Sequence, residues 1–393
     1  MPANARDLSK SAAIRFVVLL GLVSLFADVT YEGARSIAGP FLAVLGAGGA
    51  AVGVVAGFGE LLGYGLRLVS GLVSDRTQRY WALTLTGYAI NLLAVPLMAL
   101  AGRWEIAAFL MMAERIGKAI RTPARDAMLS HATLATGRGW GFGLHEAMDQ
   151  IGAVAGPILV SAALFARSEY QAAFAFLAIP AVLAIGTLTL ARFLYPRPRD
   201  LEVAAAPLEV RGLSRVYWLH LAGAALLAAG FADFPLIAFH FERNAIALPG
   251  VLPLLYAVAM GVDAIAALIF GRLFDQIGPG ILAGVTALSA LFAPLVFLGD
   301  LPLAVIGMAL WGIGMGAQES ILRAAVAGMT SADRRGTAYG LFNTGYGAAW
   351  FLGSALMGVL YDAALPALIA FSVIVQFASA IVFFRVGQIS KRN

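Results

Sequence analysis

The sequence predicts an all-α membrane protein in which twelve transmembrane helices form two pseudo-symmetric bundles of six. Three observations predict it: the share of apolar residues, the alternation of charge among the loops, and a repeat between the two halves. Apolar residues make up 61% of the 393 and charged residues only 12%, where soluble domains run nearer half and a quarter. A water-soluble fold of this length has too little interior to hide so much apolar surface, so lipid must be the solvent.

A spanning helix needs roughly 20 mostly apolar residues. Runs of that kind fall at 14–42, 49–72, 81–101, 106–128, 140–165, 169–194, 214–240, 249–272, 279–298, 301–324, 336–360 and 363–385. The turns near 45–48, 299–300 and 361–362 hold no Lys or Arg, and those near 102–105, 166–168 and 241–248 hold one each, Arg103, Arg167 and Arg243. The opposite set carries Arg6, Lys10, Arg76, Arg79, Arg121, Arg125, Arg138, Arg197, Arg199, Arg211, Arg215, Arg334, Arg335, Lys391 and Arg392. Basic loops stay in the cytoplasm, so both termini are expected there, and the number of spans must be even.

The net charge of +5 is spread over alternate loops rather than gathered on one soluble face, which argues against nucleic acid as a partner. The absence of cysteine removes disulfides and thiolate metal sites. Met1 to Lys10 is polar and lacks a cleavable signal pattern. The expectation is a multi-pass protein of the inner, cytoplasmic membrane. The longest loop contains Pro196, Pro198 and Pro207, and reads as a cytoplasmic linker at 196–213 between an N-terminal bundle at 1–195 and a C-terminal bundle at 214–393.

The halves repeat one another. Phe26-Ala27-Asp28 on the first span returns as Phe231-Ala232-Asp233 on the seventh. Gly71 to Asp75, GLVSD, returns as Gly271 to Asp275, GRLFD; Arg138-Gly139 with Gly143-Leu144 returns as Arg335-Gly336 with Gly340-Leu341. The three matches keep their order at separations of 205, 200 and 197 residues. Spans three, six, nine and twelve carry no charge in their interiors, with Glu169, Arg192 and Arg385 only at their edges. A charge loses its hydration in lipid, at a cost of at least ~2.5 kcal/mol, so every third helix is expected to face lipid and the others to line a polar interior.

These features resemble the major facilitator superfamily over nearly the whole chain. The family's Gly-x-x-x-Asp-Arg-x-x-Arg loop is matched by Gly71, Asp75, Arg76 and Arg79, with Gln78 where the family often has glycine. Arg115 followed by Lys118 is similar to the family's arginine segment on span four, and Gly152 to Pro157 resembles a GxxxGP motif of its antiporters and exporters, without the usual later glycines. The resemblance implies the major facilitator fold, a central cavity, and transport by alternating access with export favoured. Asp75, at a helix end, is expected to pair with a basic residue, Arg121 or Arg125, and to hold the cytoplasmic side closed as a gate.

Asp28, Glu32 and Arg35 lie at i, i+4 and i+7, on one face of span one. Gly33 and Pro40 in the same stretch give that helix a place to bend or loosen. Glu60 and Arg67 share a face of span two, with Asp263 on span eight about one turn from the place corresponding to Glu60. Span four supplies Glu114, Arg115 and Lys118, the first and last at the favourable i, i+4 spacing. Span five presents His145, Glu146 and Asp149, the first and last on one face, where the carboxylate can orient a ring that titrates near neutral pH. Asp233 repeats Asp28, Glu319 and Arg323 form an i, i+4 pair on span ten, and Asn343 belongs to a polar stripe on span eleven.

Nine interior carboxylates stand against five bases, and an excess of protonatable groups in a low dielectric favours coupling to protons. It also favours a cationic or zwitterionic solute, although Arg35 with Arg67 keeps an organic anion open, and oxygen and imidazole ligands keep a divalent metal open. No HExxH, Gly-x-Ser-x-Gly or cysteine constellation points to an enzyme. The expectation is a monomeric, cofactor-free, proton-coupled carrier without a resident metal, most readily an exporter.

Overall fold

The computed structural model describes residues 5–136, 138–196, 213–330 and 335–390. Among them the chain forms twelve long helical segments and no strands. They are α1 Ala5–Val44, α2 Gly49–Thr77, α3 Tyr80–Leu100, α4 Trp104–Thr136, α5 Arg138–Arg167, α6 Tyr170–Leu194, α7 Arg215–Arg243, α8 Leu252–Ile277, α9 Ile281–Leu298, α10 Leu301–Val326, α11 Arg335–Ala363 and α12 Leu365–Ser390. Ten are long and apolar enough to cross a membrane. The other two are α4, crowded with Glu114, Arg115, Lys118, Arg121, Arg125 and Asp126, and α11, diluted by Tyr339, Asn343, Thr344 and Tyr346. Several helices outrun the apolar runs that mark them, α1 and α4 most visibly. Polar and basic residues continue a helix once it leaves hydrocarbon, because its backbone bonds are internal.

Two compact units share these helices. One comprises Met1–Ala34 and Leu66–Ala206, the other Arg35–Gly65 and Pro207–Asn393. The boundaries pass through α1 and α2, so the ends of these helices joined by the α1–α2 turn belong with α7–α12. Apart from Pro196 and Leu213, the linker expected at 196–213 lies outside the described residues, as do the termini and 331–334.

In the first unit α5 lies close along α1. A Cβ on Gly152 would stand 2.5 Å from Leu25 O, and one on Gly156 would stand 2.5 Å from Val29 O. Only glycine allows this backbone approach.

In the second unit α2 packs on α11 in the same way, Gly53 against Ser354 and Gly358. At the end of that contact Asp362 accepts hydrogen bonds from the Gly49 and Ala50 N–H groups (3.0 and 2.8 Å) and lies 3.4 Å from Arg243 Nη1. Its carboxylate thus serves the positive N-terminus of α2 from another helix.

The looseness expected in α1 around Gly33 and Pro40 falls elsewhere. α1 stays helical through Pro40, whereas α7 is interrupted at Phe231–Asp233. Pro235, two residues past Asp233, cannot donate the N–H that would carry the helix across; Asp28 is followed by Val29 and Thr30, which can. The freed carbonyls of α7 find partners. Trp311 Nε1 donates to Ala232 O at 2.9 Å, and Ser372 Oγ and Gln376 Nε2 donate to Gly230 O at 2.7 and 3.2 Å. Irregular backbone at membrane depth persists only with such partners. α10 has its own irregularity, a π-helical turn at Gln318–Leu322.

The four uncharged helices do present large apolar side chains outward, Leu93 and Leu97 on α3 and Ile374, Phe377, Ile381 and Phe384 on α12 among them. Three of them also keep a buried polar face, with Asn91 on α3, Thr286 and Ser289 on α9, and Ser372, Gln376 and Ser379 on α12.

Candidate functional site

Each unit encloses its own cluster of ionisable side chains. In the second unit Arg35 of α1 donates through Nη2 to Glu60 Oε1 at 3.0 Å and to Asp233 Oδ1 at 3.1 Å. Asp233 receives a second hydrogen bond on Oδ2 from Trp350 Nε1 at 3.0 Å. Asp233 is the N-cap residue of the second half of α7, just past the break that Pro235 enforces. The sequence places Arg35 on a face with Asp28 and Glu32, and Glu60 on a face with Arg67. Neither spacing reveals the long-range pair, because Arg35 and Asp233 are 198 residues apart. Trp350 stands in an aromatic column with Tyr346 and Phe342 on α11 and in contact with Phe231 on α7. Tyr346 donates to Gln318 Oε1 at 2.7 Å, on the π-helical turn of α10. Asp263 is buried on α8, where a Cβ on Gly316 of α10 would stand 2.9 Å from its Oδ1. Glu319 lies on the exposed side of the same turn and Asn343 is half-buried. The side chain of Arg323, expected to pair with Glu319, lies outside the described residues.

In the first unit α1, α4 and α5 bring together Asp28, Glu32, Lys118, Arg121, Arg125, His145 and Asp149. Ser24 is the shared contact. Its Oγ accepts from Arg125 Nη1 at 3.0 Å, lies 3.1 Å from His145 Nε2, and sits beside Asp149. His145 Nε2 and Asp149 Oδ1 are 3.7 Å apart, too far for a hydrogen bond. The ring is therefore held by Ser24, not by the carboxylate one turn away. Asp28 is buried beside Tyr31 and faces Asp149 and Lys118 electrostatically. Lys118 rests its ammonium 3.7 Å from the centre of the Tyr31 ring and 3.9 Å from Glu32 Oε1.

The helical pairing expected between Glu114 and Lys118 gives way to one tertiary partner and one chain neighbour. Glu114 accepts from Asn91 Nδ2 of α3 at 2.8 Å and meets Arg115 Nε at 3.3 Å. A buried carboxylate gains more from an amide and a guanidinium fixed beside it than from one long, flexible ammonium. Glu146, counted with the interior groups, stands instead on an exposed side of α5.

Arg121 and Arg125, expected as gate partners of Asp75, have their contacts in this cluster. Arg121 is almost fully buried, donates to Tyr88 OH at 2.9 Å and lies over the Tyr88 ring at 4.1 Å. Arg125 pairs with Asp126 at 2.8 Å and approaches Asp149 at 4.0 Å. Of the other loop residues, Gly71 is half-buried and Arg76 and Arg79 are exposed, while the side chain of Asp75 lies outside the described residues. Counting charges could not find Ser24, Tyr31, Tyr88, Asn91 or Trp350, since they are neutral and common in apolar helices.

The model of the Major Facilitator Superfamily matches residues 20–354, and again 235–392. The chain belongs to the Major Facilitator Superfamily. Relatives of this facilitator include an uncharacterized protein of Mycobacterium tuberculosis, 41% identical over 382 residues that cover 95% of this chain and 93% of that one. An uncharacterized MFS-type transporter of Methanocaldococcus jannaschii is 28% identical over 377 residues, 91% and 90% of the two chains. Among solved structures, a POT family transporter in complex with 5-aminolevulinic acid superposes with a TM-score of 0.77 at 12% identity, covering 96% of each chain. The nucleoside transporter NupG gives 0.72 at 14% identity, covering 96% of this facilitator and 99% of NupG. At these identities the likeness to solved structures shows the shared all-helical fold alone.

Proposed function

We propose that this facilitator moves a small organic cation or zwitterion across the inner membrane by alternating access, driven by proton movement, with export as its direction. The observation that carries the proposal is the Arg35–Glu60–Asp233 triad. Placing three ionisable groups among apolar helices costs several kcal/mol each unless they act or are paired, and these three join helices from both halves of the sequence. Asp28 and Asp149 are the carboxylates we assign to the proton. They face one another electrostatically across the α1–α5 contact, and two like charges in one apolar site favour holding a proton between them. His145, fixed by Ser24 beside the cationic Arg125, is assigned to positioning. The export direction rests on the resemblance of Gly152 to Pro157, and cytoplasmic termini rest on the basic loops. Lys118 and Arg121, set against tyrosine rings, support a second reading in which the solute is an organic anion.

Reconstitution into liposomes containing a pH-sensitive dye tests the proposal. A coupled carrier moves protons only when its solute is added and responds to an imposed pH gradient. Solute flux indifferent to that gradient removes the coupling, flux at channel rates replaces the carrier with a pore, and competition by Mn²⁺ or Fe²⁺ turns the reading to a metal.

A further inference from the structure

We infer that Glu60 and Asp233 form a recognition site for an N–H-bearing organic monocation, and that Arg35 occupies this site as a tethered stand-in for the solute. The inference deepens the proposed function and rests on it for the passage of the solute, though not for its binding.

Three features of the second unit support it. Both carboxylates address the same atom: Arg35 Nη2 meets Glu60 at 3.0 Å and Asp233 at 3.1 Å. Both contacts fall on one guanidinium nitrogen, so a single N–H-bearing nitrogen can serve the two carboxylates together. A primary ammonium or the terminal nitrogen of a guanidinium solute offers the same charge and the same two donors. Asp233 is also held independently of Arg35, by Trp350 on its second oxygen. A carboxylate fixed in that way stays aimed when its partner leaves, which lowers the ordering cost of binding a replacement. Finally, the site is neither sealed nor purely polar. The Arg35 and Glu60 side chains keep 13% and 10% of their surface open, and Trp350 and Phe231 stand beside the carboxylate as aromatic surface for the apolar body of a cation. Arg35 and the solute then compete for one seat, and arrival of the solute releases the tie between α1 and α7.

The test is a thermal-shift and calorimetric titration of the full chain with methylguanidinium chloride at constant ionic strength. Urea serves as the neutral isostere, and tetramethylammonium as a cation without N–H donors. Removing the resident cation in Arg35→Gln should tighten methylguanidinium binding about tenfold, the equivalent of one charge-assisted contact. Urea and tetramethylammonium should show no such gain, and adding Asp233→Asn to the Arg35→Gln variant should abolish it. Equal affinity in wild type and Arg35→Gln, or a gain that survives Asp233→Asn, overturns the inference. If Arg35→Gln purifies poorly, the same prediction is read as rescue. Monodisperse yield should rise with methylguanidinium and not with urea, and absence of rescue counts against the site. Proton movement in liposomes is scored separately. Cation binding without proton movement refutes the coupled-transport reading alone, and coupled transport with an indifferent Arg35→Gln refutes this inference alone.

Discussion

Gln78 and Gly278 end their helices in the same way, 200 residues apart. Each turns left-handed, with φ of 56° and 79°. Each closes the last turn through its own N–H, Gln78 on Ser74 O and Gly278 on Phe274 O, both at 2.8 Å. The two helix ends thus share a positive φ and a closing N–H, and the absence of glycine at 78 becomes a local cost. A residue with a β-carbon gives up about 1–2 kcal/mol in this region, and glycine returns about 0.5–1 kcal/mol of that through its freer unfolded chain. Gln78→Gly should raise the apparent Tm in detergent slightly, and Gly278→Ala should lower it. A fall for Gln78→Gly would mean that its side chain does more than tolerate the turn.

The α1–α5 contact depends on the absence of two side chains. Gly156→Ala puts a carbon 2.5 Å from Val29 O and 2.8 Å from Gly33 N, all backbone that cannot rotate away. The helices must part, at a cost of about 1–3 kcal/mol, and Asp149 moves off Ser24 and Asp28. Both thermal stability and solute-driven proton movement should drop. Gly63, which has open space around the corresponding carbon, should accept alanine without loss of transport.

Asp362 latches the start of α2 to α11. Asp362→Ala leaves two backbone donors unserved and should cost about 1 kcal/mol. It should also let the Gly53–Ser354 contact open more often. Because the chain contains no cysteine, Ser354→Cys, buried at 1% exposure, reports that opening against a silent background. Maleimide labelling at this position should quicken several-fold when Asp362→Ala is added, and an unchanged rate would show that the latch is incidental.

Trp350 holds Asp233 through a single N–H. Trp350→Phe keeps the ring and removes that donor. A hydrogen bond to a charged group contributes about 1.5–3 kcal/mol, so solute affinity should fall at least tenfold while the fold survives. Liposome uptake at several solute concentrations separates this loss of affinity from a loss of maximal rate.

The positions of the helices were legible because hydropathy is local: each span declares itself over its own twenty residues. The break in α7 was legible too, in Pro235 beside Asp233, yet the weight fell on Gly33 and Pro40, which α1 absorbs within its helical assignment. Partners were much less legible. Spacing along a helix reveals which residues share a face, as with Glu114 and Lys118, but not whether Asn91 or Glu32 waits on the neighbouring helix. Arg35 illustrates the limit. Its sequence neighbours are acidic, its ligands lie on α2 and α7, and only the packing of the second unit chooses between them. Arg121 and Arg125 read as loop residues because their stretch is strongly charged, whereas α4 carries them inward and covers them with Tyr88, Ser24 and Asp126.

Proton release on solute binding tests the central claim most directly. In weakly buffered solution, adding a cationic solute that stabilises the purified protein should release protons from wild type, and the release should vanish in Asp28→Asn and Asp149→Asn while binding persists. A wild-type protein that binds the cation and releases none, or variants that release as much, would contradict the assignment of these carboxylates to the coupled proton.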